Sequence, residues 1–473
     1  MTVRLPVPPL LRRLSSDEYR PLPWRRPDRQ ALARLAEAAV GRAGQARRAG
    51  LEPRAYVEDR RGTAATLRAI DAAAGGGYYA VPAEAEVDTA AADACFGGRE
   101  GSVVIDVQTH LVNPSKFHGP GAEALTGFLR MTDPDRWSDG VDPAHISAAE
   151  WAALVFGGSE TAVALLTSLP GQSHENVLSN AEIAACREVV DRYAGSGRVL
   201  THTIVHPNYG PEEIEAMPGW RDDLRPSGWK VYTLWDPPDS VPPGGMPTGW
   251  FLDDETVGIP FLERVRALGP RIVCAHKGIG GPVPGAAPAG SDPRDIGPAA
   301  ALFPDITFLV YHSGYEPDPD GEEGPHEADP GRGVSRLVAS LAQAGIGPGA
   351  NVYAELGSTW FLMLRRPREA AHVLGKLLLA VGEDRIVWGT DSVWYGSPQP
   401  LIDAFRAFTI SERLQEEHGY PPLTSSAKEK ILGLNAAQVY GVDLQAAQAS
   451  RAAGDADPGW LAAARRELSE RLA

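Results

Sequence analysis

Three cysteines in 473 residues, Cys95, Cys186 and Cys274, stand far apart and form no CxxC pair. That excludes a disulfide framework and a cysteine-built zinc site, and the three read as reduced thiols packed as small apolar groups. Basic residues are also short: 45 Lys and Arg against 61 Asp and Glu leave a net charge of −16, spread along the chain. A nucleic-acid partner would need a basic face, and an anionic membrane would find nothing to attract it. No uninterrupted apolar run is long enough to span a bilayer. Arg12-Arg13 leads into Leu14-Ser15-Ser16-Asp17-Glu18, and Arg25-Arg26 into Pro27-Asp28-Arg29-Gln30, where a secretory leader needs an apolar stretch. A cytoplasmic protein is therefore expected. Missing too are a Gly-x-Ser-x-Gly elbow, HExxH, a P-loop and a GxGxxG after a strand, which sets aside serine hydrolases, zincins, nucleotide triphosphatases and dinucleotide enzymes.

What is present is an apolar content of 43%, enough for a large core in one elaborated domain or two. The first hundred residues differ from the rest. Residues 28–48 are rich in Ala and Arg with apolar pairs at helical spacing, and Thr63 through Ala74 reads as a second helix stopped by Gly75-Gly76-Gly77. From Ser102 onward, strand-like and helix-like segments alternate. Val104–His110, Thr161–Ser168, Arg198–His206, Gly228–Leu234, Arg271–His276, Ile306–His312, Asn351–Leu356 and Arg385–Thr390 are short runs bounded by Gly, Pro or charge. Such runs suit parallel strands buried on both faces. Amphipathic stretches such as Asn180–Tyr193, Pro260–Leu268, Val334–Ala344 and Pro367–Val381 lie between them. Eight strands are what a closed barrel needs. The expectation is an α/β chain: a (β/α)8 TIM barrel over residues 101–445, an N-terminal helical extension over 1–100 and a helical tail over 446–473. The extension packs either on the barrel or on a neighbouring subunit. A homodimer is left open by the sequence.

Several of these strands end in chemistry. His110, Lys230, His276, His312 and Asp391 each stand at or near a strand end. In a (β/α)8 barrel those ends converge on one mouth, where residues distant in sequence can share one ion. Gln108 and His110 are two apart and face the same way on a strand, offering an amide oxygen and an imidazole. His276 offers another imidazole, and Asp391 could ligate an ion while accepting a proton from its water. A divalent ion lowers the pKa of that water from ~15.7 toward ~7. His312 has the titration range for a proton shuttle. Glu355, ending Tyr353-Ala354-Glu355, adds a candidate acid/base or supporting group. Lys230 suits an ion pair or a substrate contact. Trp235, Trp360, Trp394 and Tyr395 lie just past strand ends and could wall a planar substrate, with Trp394 taken as the substrate contact. The inserts Gly278–Pro298 and the acidic Glu316–Arg332 follow His276 and His312 as mouth-side loops. His202 and His206 share a face of the third strand outside this set.

The arrangement resembles the amidohydrolase superfamily, specifically its amidohydrolase-related branch of metal-dependent hydrolases and aromatic-acid decarboxylases. The likeness runs from about Val103 to Gly441. It includes the closing segment Lys430-Ile431-Leu432-Gly433-Leu434-Asn435-Ala436-Ala437-Gln438-Val439-Tyr440-Gly441, which looks like the family's Ile-Leu-Gly-x-Asn-Ala-Ala-x-x-Tyr-Gly pattern. By that resemblance His110 and His276 would be metal ligands, Asp391 a ligand and proton acceptor, and His312 the catalytic histidine. Gln108 departs from the commoner His-x-His form. In some superfamily members a lysine at the position of Lys230 is carboxylated and bridges two metals, whereas this branch usually carries one. The implied function is a hydrolase using water activated by one divalent ion, zinc before manganese, on a C–N, C–O or activated C–C bond of a small organic molecule. A non-oxidative decarboxylase of an aromatic or unsaturated acid is the alternative. A binding barrel without chemistry is the third reading. A decarboxylase would also need a cation for its carboxylate, for which Arg136, Arg332, Arg365 and Arg366 stand near the mouth-side segments.

Overall fold

The computed structural model describes Leu10 and residues 53–472, except 100, 133–136, 138–139, 170–176, 238–239, 242–247, 281–287, 319–320 and 458. The expected helix at 28–48, and Arg136, lie outside the described residues. Eight parallel strands follow one another around the sheet in chain order. They are β1 Val104–Thr109, β2 Thr161–Leu166, β3 Val199–Ile204, β4 Gly228–Tyr232, β5 Ile272–His276, β6 Thr307–Tyr311, β7 Val352–Glu355 and β8 Ile386–Val387. The last strand is shorter than its apolar run suggests, because Trp388–Ser392 leaves β7 and runs along β1 instead. Backbone bonds from Val107 to Trp388, Asp391 to Gln108 and His110 to Ser392 draw the ends of the sheet together. This is the TIM barrel expected from the alternating pattern.

Alternation along each strand separates two apolar layers. Ile105, Val107, Cys274, Leu309, Tyr311, Tyr353 and Val387 fill the barrel interior, while Trp229, Val231, Ala275, Phe308, Val310, Ala354 and Ile386 face the surrounding helices. The helix Asn435–Tyr440 closes the lower end, its Ala436 and Ala437 packing on the interior layer. Gly433 is required there: a Cβ would lie 1.9 Å from the Val103 carbonyl oxygen. Asn435 ties the same segment to the barrel by bonds from its amide nitrogen to the carbonyls of Glu383, at 2.8 Å, and Ile386, at 2.7 Å.

The described part of the N-terminal extension packs on the barrel. The helix Arg60–Ala73 is capped by Asp59, whose carboxylate accepts the Arg61 and Gly62 amides. Arg60 reaches Asp93, Glu160 and Asp403. Beyond the helix, Tyr79 bridges Phe408 in antiparallel register and donates from its hydroxyl to the Leu364 carbonyl at 2.6 Å. At the other end of the chain the helix Gly459–Arg471 buries Ala464 and Leu468. Among the described residues no helix is long and apolar enough to cross a membrane.

Candidate active site

An extra residue in the upper half of β1, after a shift the other way between Val104 and Ile105, sets the geometry of the mouth. Asp106 pairs with Ala164 and Thr109 with Leu166, so three steps on β1 match two on β2. Such a bulge switches the face that follows it. Ile105 and Val107 belong to the interior layer below the bulge, and Gln108 and His110 turn inward above it. Asp106, left outside, accepts the Thr390 amide at 3.0 Å and the Thr390 hydroxyl at 2.5 Å, stitching β1 to the segment that carries Asp391.

Gln108, His110 and Asp391 meet. The Gln108 amide nitrogen donates to Asp391 Oδ1 at 3.2 Å, and His110 Nε2 lies 3.0 Å from the same oxygen. Ser358 donates to Asp391 Oδ2, and the hydroxyls of Ser358 and Tyr395 lie 2.6 Å apart. Burial opposes ionisation of Asp391, but the hydrogen bond and charge of His110, helped by His312 and Ser358, outweigh it and hold the carboxyl well below its ordinary range. Trp394 stacks on the His110 ring, with centroids 5.7 Å apart and planes 12° off parallel. Trp360 instead donates to the Leu401 carbonyl within the core, and Trp235 is exposed.

His276 and His312 form a second pair. His312 Nδ1 contacts the Gly357 carbonyl at 2.6 Å, and its Nε2 lies 3.2 Å from His276 Nδ1. Burial lowers both histidines, His312 to about 4, so both are neutral near pH 7. The tautomers follow from these contacts. His312 carries its hydrogen on Nδ1 and receives one from His276 Nδ1. In that tautomer His276 Nε2 faces the Ile279 carbonyl oxygen, 3.4 Å away.

Glu355, at the end of β7, holds the turns that present these groups. One carboxyl oxygen accepts the His312 amide at 3.0 Å and the other the Gly357 amide at 2.5 Å. Burial raises this carboxyl to about 8 despite both bonds. The turns are strained: His312, Ser313, Ser358 and Asp391 all take positive φ, at 65°, 54°, 51° and 62°. Non-glycine residues keep such conformations only where their surroundings fix them, and here they cluster at one site. Lys230 lies in the barrel interior with Nζ 3.5 Å from the Tyr311 ring centroid and 4.7 Å from that of Tyr232. Burial lowers its ammonium to about 7. His202 stays outside the pairs, its Nε2 3.0 Å from the Tyr440 hydroxyl and its Nδ1 3.3 Å from that of Tyr311.

The donor set has the chemistry a cation needs. His110 Nδ1 donates to the Thr167 carbonyl at 2.9 Å, which leaves Nε2 to face the Asp391 carboxylate. Only a proton or a cation between them makes that contact attractive. His276 Nε2 faces a carbonyl, and the Gln108 amide oxygen is buried with no donor in reach. Two ligands held ~2.1 Å from one ion sit about 3.0–3.4 Å apart, and the His110–Asp391 spacing is 3.0 Å. Among the described residues, however, no three His, Cys, Asp or Glu side chains are already gathered around one point. The donors are right in kind and stand as two pairs.

Sequence reasoning named Gln108, His110, His276, His312, Glu355 and Asp391, and the fold brings them to one mouth. It missed Ser358 and the part played by Gly357, which follow Glu355 directly; a small polar residue after a strand-end acid was the available signal. The acidic insert after His312 is tied down rather than free: Arg366 bonds the Asp318 and Gly321 carbonyls, and Lys376 pairs with Glu323.

A barrel with strand-end imidazoles and a carboxylate at one mouth defines an amidohydrolase-type enzyme class. The sequence profile of the amidohydrolase family matches residues 105–442, most of the chain, and the protein belongs to that family. No curated protein matches it in sequence. Similar solved structures include 2,6-dihydroxybenzoate decarboxylase from Rhizobium, at 16% identity and TM-score 0.39 over 72% of this chain and 98% of that one. Another is 5-carboxyvanillate decarboxylase from Novosphingobium aromaticivorans with bound manganese, at 13% and 0.39 over 73% and 99%. A third, from Pseudomonas putida, is assigned as a 2-pyrone-4,6-dicarboxylic acid hydrolase, at 13% and 0.41 over 72% and 97%.

Proposed function

We propose that this protein is a cytoplasmic metal-dependent hydrolase acting on a small organic substrate at a C–N, C–O or activated C–C bond. The observation that carries this reading is the 3.0 Å approach of His110 Nε2 to the Asp391 carboxylate, a contact that needs a proton or a cation between them, with His110 Nδ1 already committed elsewhere. His110, His276, Asp391 and the Gln108 amide oxygen would hold one divalent ion, with zinc ahead of manganese for this mixed nitrogen and oxygen set. Such an ion, when bound, supplies Lewis-acid polarisation and acidifies water. Drawing His276 toward the His110–Asp391 pair would complete the set.

The chain's own groups supply the proton handling. Asp391 stays ionised across the working range and accepts the proton of the attacking water. His312, neutral and hydrogen-bonded through Nδ1 to a fixed carbonyl, presents an Nε2 lone pair that takes over that proton from Asp391 and releases it to the leaving group. Glu355 positions His312 and the Gly357–Ser358 turn through its two backbone bonds. Trp394 fixes the His110 ring and walls the substrate.

The test is metal content per chain by plasma mass spectrometry on native protein and His276→Ala, followed by hydrolysis assays with the ion found. About one zinc or manganese per native chain, lost in the variant, is expected. Native protein that stays metal-free after reconstitution would sink the reading. Non-oxidative decarboxylation is the second reading, favoured by the buried ammonium of Lys230. Carbon dioxide release from candidate acids separates the two.

A further inference from the structure

Four lysines are buried in the described structure, and three have oxygen partners. Lys277 bonds Asp295 and the Gly290 carbonyl, each at 2.8 Å. Lys376 bonds Glu323, and the Ser335 hydroxyl at 3.0 Å. Lys428 donates to the Arg406 carbonyl at 2.5 Å. Lys230 is fully buried and its Nζ has no hydrogen-bond partner. A buried ammonium normally takes oxygen acceptors, because leaving it without them forfeits its hydration with nothing in return. The faces of Tyr311 and Tyr232 offset part of that loss. They satisfy none of its three N–H bonds.

The position lies just below the mouth. Lys230 stands one inward step below Tyr232, which pairs in register with His276 and lies 5.2 Å from its ring. Cys274, Glu355 and Asp391 are near enough to favour its charged form. Among the described residues, the three other arginines near the mouth-side segments are engaged elsewhere. Arg365 bonds the Phe361 and Leu10 carbonyls, Arg366 pairs with Glu369, and Arg332 pairs with Asp318.

Building on the proposed function, we infer that Lys230 is the anion anchor of the active site and receives the single carboxylate of a flat organic acid. One ammonium between two ring faces suits a monovalent group on a planar carbon skeleton. A phosphate would call for several donors. The carboxylate lies against Nζ, and the conjugated body of the acid extends past Tyr232 toward His276 and His312.

Isothermal titration calorimetry with benzoate and cinnamate, each beside its neutral amide (benzamide, cinnamamide), tests this on the metal-analysed wild type, Lys230→Met and His276→Ala. The acids should bind wild type in preference to the amides. Lys230→Met should lose that preference, weakening acid binding by roughly ten- to a hundredfold, as expected for a hydrogen bond to a charged group. Its circular dichroism and melting temperature should match or exceed wild type, since it removes an unpartnered buried charge. The preference should persist in His276→Ala. Acids and amides binding alike, no acid binding at all, or an acid preference unchanged in Lys230→Met would each overturn the assignment. Loss of the preference in His276→Ala alone would place the carboxylate on the ion and overturn it equally. Metal content read on the same samples keeps the two ideas apart: a metal-free protein with a Lys230-dependent acid preference sinks the hydrolase reading and leaves this one standing.

Discussion

Gly389 has no room for a side chain, and the reason lies in Glu355. A Cβ at position 389 would stand 1.8 Å from Glu355 Oε1, 2.9 Å from its Cδ and 3.1 Å from Gln108 Cβ. The carboxyl cannot simply swing away, because it accepts the His312 amide at 3.0 Å and the Gly357 amide at 2.5 Å. In Gly389→Ala the carboxyl must shift by over 1 Å to reach ordinary contact, breaking at least the shorter bond. An orphaned buried amide costs ~1–3 kcal/mol and overpacking a further ~1–3 kcal/mol, so a loss of about 3–4 kcal/mol is expected. Urea denaturation of Gly389→Ala, Glu355→Ala and the double variant measures it. With the carboxyl gone the clash goes too, so adding Gly389→Ala to Glu355→Ala should cost about 2 kcal/mol less than adding it to wild type. Costs that simply add would refute the argument that Glu355 is locked in place. Gly389→Ala should also slow catalysis, since the turn carrying His312 moves with the carboxyl.

His206 is buried with an unpartnered Nε2, and desolvation lowers it to about 4. Its folded pKa lies below the unfolded ~6.5, so its full share of stability is present above pH 6.5 and is lost as pH falls toward 4, by on the order of 3 kcal/mol. Replacing it with Gln should flatten that part of the stability profile, read as the difference from wild type in urea melts at pH 7.5 and 4.5; parallel profiles would refute it. Tyr79→Phe removes the bond to the Leu364 carbonyl that ties the extension to the barrel and should cost about 1 kcal/mol, measured by thermal melting. Chelation of the metal-loaded enzyme should abolish activity and lower the melting temperature, and the divalent ion should restore both; activity that survives chelation would contradict the proposed function.

The barrel was legible before any coordinates because buried parallel strands leave a local mark: short apolar runs, one after another, with amphipathic stretches between. The candidate site was legible for a related reason. A (β/α)8 barrel sends every strand end to the same mouth, so His110, His276, His312 and Asp391 could be grouped by position in their strands alone. The bulge at Gln108 was not legible, since it depends on how β1 registers against β2. The same holds for the length of β8, where Trp388–Ser392 pairs with β1, a partner some 280 residues away.

Sequence by itself determined the fold class, the polar residues at the mouth and the absence of other catalytic motifs, since each rests on local pattern and residue type. Only the tertiary structure decided what those residues do to one another. Packing gave Glu355, a candidate acid/base or supporting group, two backbone bonds at two strained turns, and split the imidazoles into a His110–Asp391 pair and a His276–His312 pair. It also left Lys230 with aromatic faces where the other buried lysines have oxygen. Hydrogen bonding and burial depend on neighbours distant in the chain, and those neighbours exist only once the barrel closes.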